Sequence, residues 1–310
     1  MKKLFNYIIL LFILLAFSCT SSKPAQADTK SAFEEPETIP ELTDIQKLDD
    51  NKYTCSFDDV VHDFIIDLPD VVENAPLVIM LPGYMMTAES MRFEYGFEKE
   101  ACKRGYAVVY VTGSVQKGDN IRTGIAWNSG ISSQGNKDVQ FITALAEYLQ
   151  NEYGFDASRT FTAGFSNGAF MNHRLAMQAG NTLKACVSVA GKMPALIWDN
   201  RNEKNNIGFL QITGQKDELI PKNSDGSARF TKDPAIEDVM DYWAKSNGLG
   251  NIQQEKIGND SVLTKWSDES GHSDAQVWHL VIESGHHSWP VEAINGFSAN
   301  TLILDFFDSF

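Results

Sequence analysis

The pentapeptide Gly164-Phe165-Ser166-Asn167-Gly168 has the form G-x-S-x-G, which stands a serine proud of the chain where a strand turns sharply into a helix. A serine so placed can attack an acyl carbonyl. Its hydroxyl is a weak nucleophile, however, and needs a nearby base that is itself oriented by an acid. Three fixed positions in five residues are only moderate evidence by themselves, and the flanks raise it sharply. Arg159 to Ala163 reads as a strand, and a helical pattern begins near Ala169 and runs from Phe170 to Gln178. Strand, turn and helix in that order are what the motif requires, with the glycines removing Cβ atoms where backbone segments crowd together.

In an open α/β sheet the acid and then the histidine should follow the serine, each beyond the C-terminal end of a strand. The strand pattern Ile207 to Thr213 runs into Gly214-Gln215-Lys216-Asp217, which puts Asp217 just past a strand end, with Glu218 and Asp225 as substitutes. The pattern Val277 to Ile282 runs into Glu283-Ser284-Gly285-His286-His287-Ser288-Trp289-Pro290, so His286 and His287 are both candidate bases. Of the other histidines, His62 and His279 fall in strand patterns, His173 on the helix after the serine, and His272 in a polar loop. No HExxH and no Cys/His cluster is present, so neither a metal nor another cofactor is expected.

These residues need a scaffold, and the chain spells one out. Val60 to Leu68, Pro76 to Leu81, Tyr106 to Val111 and Lys184 to Val189 read as further strands. Val139, Ile142, Leu145, Ala146, Leu149 and Tyr153 recur at spacings of three and four, one face of a helix that Gly154 stops. Ile236 to Ser246 and Asn300 to Phe307 also read as helices. Strands and helices in alternation predict an α/β fold, a mostly parallel central sheet with helices on both faces.

The composition agrees. Of 310 residues, 43% are hydrophobic and 22% charged, ordinary for a globular chain, and the formal charge of −15 disfavours nucleic acid as a partner. The N-terminus reads as a targeting segment: Lys2 and Lys3, then an apolar run from Ile8 to Phe17 too short to span a bilayer. Ala16-Phe17-Ser18-Cys19 is similar to a bacterial lipobox, although Leu15 stands four residues before the Cys where three is usual. That similarity implies a signal peptide over 1–18 and lipidation of Cys19; the competing reading is plain secretion after Ala25-Gln26-Ala27. Either way the protein is exported, and a lipid anchor is its one expected membrane contact. Residues 19–50, rich in Ser, Pro, Glu and Asp, read as a flexible tether, and 51–310 as the catalytic domain. Cys55, Cys102 and Cys186 allow one internal disulfide at most, without fixing a pair, and Cys186 lies in an apolar run that suits a buried thiol.

The loop Gly124-Ile125-Ala126-Trp127-Asn128, Lys137-Asp138-Val139, the serine motif with Met171 after it, and His287-Ser288-Trp289-Pro290 stand in this order along the chain. Together they resemble the poly(3-hydroxybutyrate) depolymerase and feruloyl esterase group of α/β-hydrolases. The resemblance implies the α/β-hydrolase fold from about Val60 onward, with Ser166 as nucleophile and Asp217 as acid. Because the group's histidine lies two residues before Trp-Pro, it implies His287 as base. Backbone N–H groups of Asn167 and of Tyr84, in the loop after Leu81, would form the oxyanion hole. Pro82 stands where the group has His, Tyr84 where it often has Cys, Ala169 where it has Gly, and the polymer-binding domain of dedicated depolymerases is missing. Trp127, Asn128 and Trp289 lie beside the implied site loops as candidate substrate contacts. The implied activity is hydrolysis of small or polysaccharide-linked carboxylic esters through an acyl-enzyme. A serine peptidase of similar fold is the alternative enzyme, and a ligand-binding lipoprotein with a dead triad the alternative from another class.

Overall fold

The computed structural model describes residues 40–116, 124–131, 135–222, 232–270 and 273–310, all within one compact unit. Cys19, Asp225 and His272 lie outside the described residues.

Among the described residues, eleven strands form one mixed sheet. In chain order they are β1 (Thr43–Lys47), β2 (Lys52–Phe57), β3 (Val60–Asp67), β4 (Leu77–Leu81), β5 (Ala107–Val111), β8 (Thr160–Phe165), β9 (Ala185–Val189), β10 (Gly208–Gly214), β11 (Asn251–Ile257), β12 (Ser261–Ser267) and β13 (Val277–Ile282). The two-residue strands β6 (Ser114–Val115) and β7 (Ile125–Ala126) make a separate ladder. The spatial order is β1-β2-β3-β5-β4-β8-β9-β10-β13-β12-β11. From β5 to β13 every neighbouring pair is parallel, while the outer strands on both sides pair antiparallel. The central strands are buried along their whole length, which explains why they read as unbroken apolar runs.

The helices are α1 (Ala88–Tyr95), α2 (Glu98–Ala101), α3 (Asp138–Tyr153), α4 (Asn167–Gln178), α5 (Ala195–Asp199), α6 (Ile236–Ser246), α7 (Glu292–Asn295) and α8 (Ala299–Phe307). Gly154 ends α3 in the left-handed conformation (φ 71°) and donates its N–H to the Gln150 carbonyl, the stop that its position predicts. The sequence reading finds β3 but misses the other antiparallel strands, β1, β2, β11 and β12. β1 lies inside the expected tether and pairs with β2, so the tether boundary at residue 50 is too late. The cause is composition: Thr-Asp-Ile-Gln-Lys alternates weakly, and four of its five residues are exposed or nearly so. β11 and β12 form a hairpin whose outer strand, Asn-Ile-Gln-Gln-Glu-Lys-Ile, is polar because it is an edge.

Cys55, Cys102 and Cys186 are free thiols. Burial raises the Cys186 thiol to about 12, so it stays protonated and unreactive inside β9.

Candidate active site

Ser166 sits between the end of β8 and the first residue of α4, with φ 51° and ψ −113°. A non-glycine residue there costs about 1–3 kcal/mol, and the surroundings hold it in place. Its N–H donates to the Val189 carbonyl of the neighbouring strand (3.0 Å), and its carbonyl accepts from Phe170 N–H in the helix (3.0 Å). The flanking glycines are there for space. A Cβ on Gly164 would overlap the Gly168 carbonyl, and one on Gly168 would overlap the Leu81 carbonyl at the end of β4. The elbow therefore lies directly against the β4–α1 loop, where a Cβ on Gly83 would come 3.4 Å from the Ser166 Cβ.

Asp217 follows β10 and is buried, with 1% of its side chain exposed. Its Oδ1 accepts backbone N–H groups from Leu219 (2.9 Å) and Ile220 (2.8 Å). Its Oδ2 lies 2.8 Å from His287 Nδ1. Three donors thus fix the carboxylate in one orientation. The loops after β10 and β13 are laced to each other by Gln215 N–H to the Ile282 carbonyl (2.9 Å) and Lys216 N–H to the Gly285 carbonyl (2.8 Å). The His287 ring packs beside Phe165, the residue preceding Ser166, at 5.1 Å between ring centroids. His286 turns the other way, to exposed Glu218 at 3.1 Å. Ser166, Asp217 and His287 are thus brought to one end of the sheet.

The β4–α1 loop is also tightly held. Met85 has a positive φ of 64° and donates its N–H to the Ile125 carbonyl (2.8 Å), while Met86 N–H reaches the Gly83 carbonyl (3.1 Å). Tyr84 lies between these anchors and is half-buried.

The three candidate substrate contacts are engaged inside the protein. Trp127 is 3% exposed; its indole N–H donates to the Pro82 carbonyl (3.0 Å) and its backbone N–H to Asn167 Oδ1 (2.7 Å). Trp289 is 6% exposed, stacks on Tyr95 at 4.6 Å, and donates its indole N–H to Asn300 Oδ1 (2.9 Å). Asn128 donates its backbone N–H to Asp138 Oδ2 (2.6 Å) and its amide to the Asn136 carbonyl (2.8 Å). Large aromatic surfaces beside a candidate site loop are worth more as packing than as solvent-facing walls, and here both indoles are packing.

Asp138 opens α3 and was read only as part of a motif. It is fully buried, with burial raising its carboxyl to about 6 despite hydrogen bonds from Asn128 N–H and the Gln116 amide. Among the described residues no group of three or more His, Cys, Asp or Glu is arranged to hold a metal ion.

Comparison with known proteins bears on the fold and the chemistry. The prolyl oligopeptidase family model matches residues 93–226, a span that includes Ser166 and Asp217 and ends before His287. Acetylxylan esterase A of Emericella nidulans is 23% identical over 285 residues, which are 84% of this chain and 86% of that protein. A protein described as probable feruloyl esterase C of Aspergillus niger is 26% identical over 164 residues, 53% of this chain. The match spans 55% of that relative, so about half its length has a counterpart here. The solved acetyl xylan esterase from Aspergillus awamori superposes with a TM-score of 0.58 at 13% identity, over 80% of this chain and 94% of that one. The mostly parallel sheet flanked by helices, shared with an esterase of known structure, gives this chain the α/β-hydrolase fold.

Proposed function

We propose that this chain is an exported serine esterase that cleaves short acyl or feruloyl esters carried by polysaccharide. The observation that carries the reading is the buried Asp217–His287 hydrogen bond of 2.8 Å, set beyond β10 and β13 with the His287 ring against Phe165, the residue before the strained Ser166. In this mechanism His287 donates from Nδ1 to Asp217 and takes the Ser166 proton at Nε2 as the hydroxyl attacks the ester carbonyl. The backbone N–H groups of Asn167 and Tyr84 hold the oxyanion of the tetrahedral intermediate. Collapse expels the alcohol, which takes the proton from His287. Water then attacks the acyl-enzyme by the same route and releases the acid. The acetylxylan and feruloyl esterase relatives support a sugar-linked ester as substrate. Hydroxyalkanoate esters fit the same chemistry, and pocket shape decides among the acyl groups.

The test is turnover of p-nitrophenyl acetate by the purified protein, followed by methyl ferulate, acetylated xylan and poly(3-hydroxybutyrate) particles. Release of acid from the first three, abolished by Ser166→Ala, is the expected result. An inert but folded wild type would favour a ligand-binding protein, and faster turnover of the polyester particles would overturn the substrate class. A second reading, a serine peptidase, is favoured by the prolyl oligopeptidase match over residues 93–226. It predicts that an acyl-peptide p-nitroanilide is cleaved faster than any of the esters. The proposed lipid anchor at Cys19 predicts that Cys19→Ala moves the protein from the membrane fraction to the soluble one or blocks its processing. A wild-type protein that is wholly soluble and begins at Asp28 would refute it.

A further inference from the structure

We infer that Trp127 is a positioning residue of the oxyanion hole, a brace that sets the distance between its two donor segments; this rests on the esterase reading above. The proposed donors come from different parts of the chain, Tyr84 from the β4–α1 loop and Asn167 from the start of α4. Three hydrogen bonds from the segment Ile125–Trp127 reach both. The Trp127 indole N–H donates to the Pro82 carbonyl (3.0 Å), two residues before Tyr84. The Ile125 carbonyl accepts Met85 N–H (2.8 Å), one residue after it. The Trp127 backbone N–H donates to Asn167 Oδ1 (2.7 Å). Tyr84 is thereby gripped on both sides, and Asn167 is tied to the same segment by its side chain.

The amide of Asn167 is turned toward the brace at both ends. Its Nδ2 faces the Trp127 carbonyl and Ser129 Oγ at 3.4 Å each, so the side chain serves placement and leaves oxyanion binding to the backbone. The brace has its own support. Asn128, the next residue, donates its N–H to buried Asp138 (2.6 Å) and accepts at its carbonyl from Arg174 (2.6 Å), which lies on α4 itself. Trp127 is 3% exposed, which makes it a poor substrate contact and a good strut.

Oxyanion donors act on charge that develops in the transition state, and they must sit about 2.7–3.1 Å from where the oxygen will be. A strut that sets their spacing should therefore affect kcat far more than KM. Trp127→Phe keeps a ring in the core and removes the indole N–H. Asn167→Ala keeps the backbone donor and removes the acceptor at the other end. With p-nitrophenyl acetate, each should lower kcat about 10–100-fold with KM within about twofold, less than the loss of a whole donor. Affinity for a boronic acid that forms a tetrahedral serine adduct should fall by the same factor. If the two act through one brace, the double variant should lose much less than the product of the single losses. Circular dichroism and melting curves identify any variant that has failed to fold, and the Asn167→Ala arm then still decides the question. Unchanged kcat in folded Trp127→Phe or Asn167→Ala would overturn the inference. So would a rise in KM at constant kcat, which would make Trp127 a substrate contact. An inert wild type would instead remove the esterase reading, and the inference with it.

Discussion

Two acid–histidine pairs lie side by side in this molecule, and they are not equivalent. Asp217 and Glu218 leave the same strand, His287 and His286 leave another, and each acid meets one histidine: Asp217–His287 at 2.8 Å and Glu218–His286 at 3.1 Å. Distance hardly separates them. Burial does: side-chain exposure is 1% and 14% in the first pair against 72% and 60% in the second. The carboxylate of Asp217 is further held by two backbone N–H groups. That of Glu218 is held below the usual range by its own backbone N–H, with His286 second. An exposed ion pair trades water contacts for protein contacts at almost no net gain, whereas a buried, fully bonded pair fixes an imidazole in one tautomer and one direction. An acid beside a histidine means little until its exposure to solvent is known.

The two pairs should differ most in catalysis. His287→Ala should abolish esterase activity as thoroughly as Ser166→Ala, a loss in kcat on the order of 10⁶ where the triad acts as a unit. Asp217→Asn, which keeps the shape but spoils the tautomer, should cost about 10⁴. The measurement is steady-state hydrolysis of p-nitrophenyl acetate by variants with matched circular dichroism. An active His287→Ala beside a dead His286→Ala would move the base by one residue.

A second buried carboxylate sharpens the contrast through stability. Burial raises Asp138 to about 6 from an ordinary 3.8, so the folded state favours its protonated form. Its favourable contribution is complete below about pH 4 and is lost as the pH climbs through 6, a swing on the order of 3 kcal/mol. Urea unfolding of wild type and Asp138→Asn at pH 4 and pH 7 checks the sign. Wild type should lose stability relative to the variant at the higher pH, and a difference independent of pH would contradict the assignment. Glu218, fully in water, should show no comparable penalty on replacement by Gln.

The smallest effect belongs to the outer pair. His286→Ala should keep kcat within tenfold of wild type, because the side chain it loses is a solvated partner of Glu218. What remains of the effect should fade as salt is raised. A loss beyond a hundredfold would show that the exposed pair clamps the two catalytic loops.

Much of the fold was legible because its signals are local or repetitive. Buried parallel strands read as apolar runs, α3 declares its face and its stop at Gly154, and the elbow's glycines mark where no Cβ fits. Of the antiparallel strands only β3 was legible. β1 and β11 are exposed, polar edge strands, and β2 beside β1 is half-exposed, so none of the three has an apolar pattern to betray it. Two histidines outside the candidate site, His173 and His279, are also organised. His173 Nε2 meets Gln211 Oε1 at 3.2 Å, and Thr213 Oγ1 meets His279 Nε2 at 3.2 Å, in a buried polar chain from the helix behind Ser166 to β13. Burial lowers these two imidazoles to about 3 and 4, so both stay neutral.

By itself, the sequence determined the order of the central strands and of α3, α4, α6 and α8, the elbow at Ser166, and a short roster of acids and histidines beyond strand ends. These are properties of consecutive residues, set by periodicity, by glycine and by where apolar runs stop. Local rules left His286 and His287 level, and a family spacing rather than physics separated them. Only the tertiary structure decided which histidine has a buried carboxylate, because that depends on a loop seventy residues away. It also decided the fate of Trp127, Trp289 and Asn128. Each stands next to a site loop in sequence, yet each is turned inward, since an indole or amide with an internal partner is worth more to the fold than one left facing water.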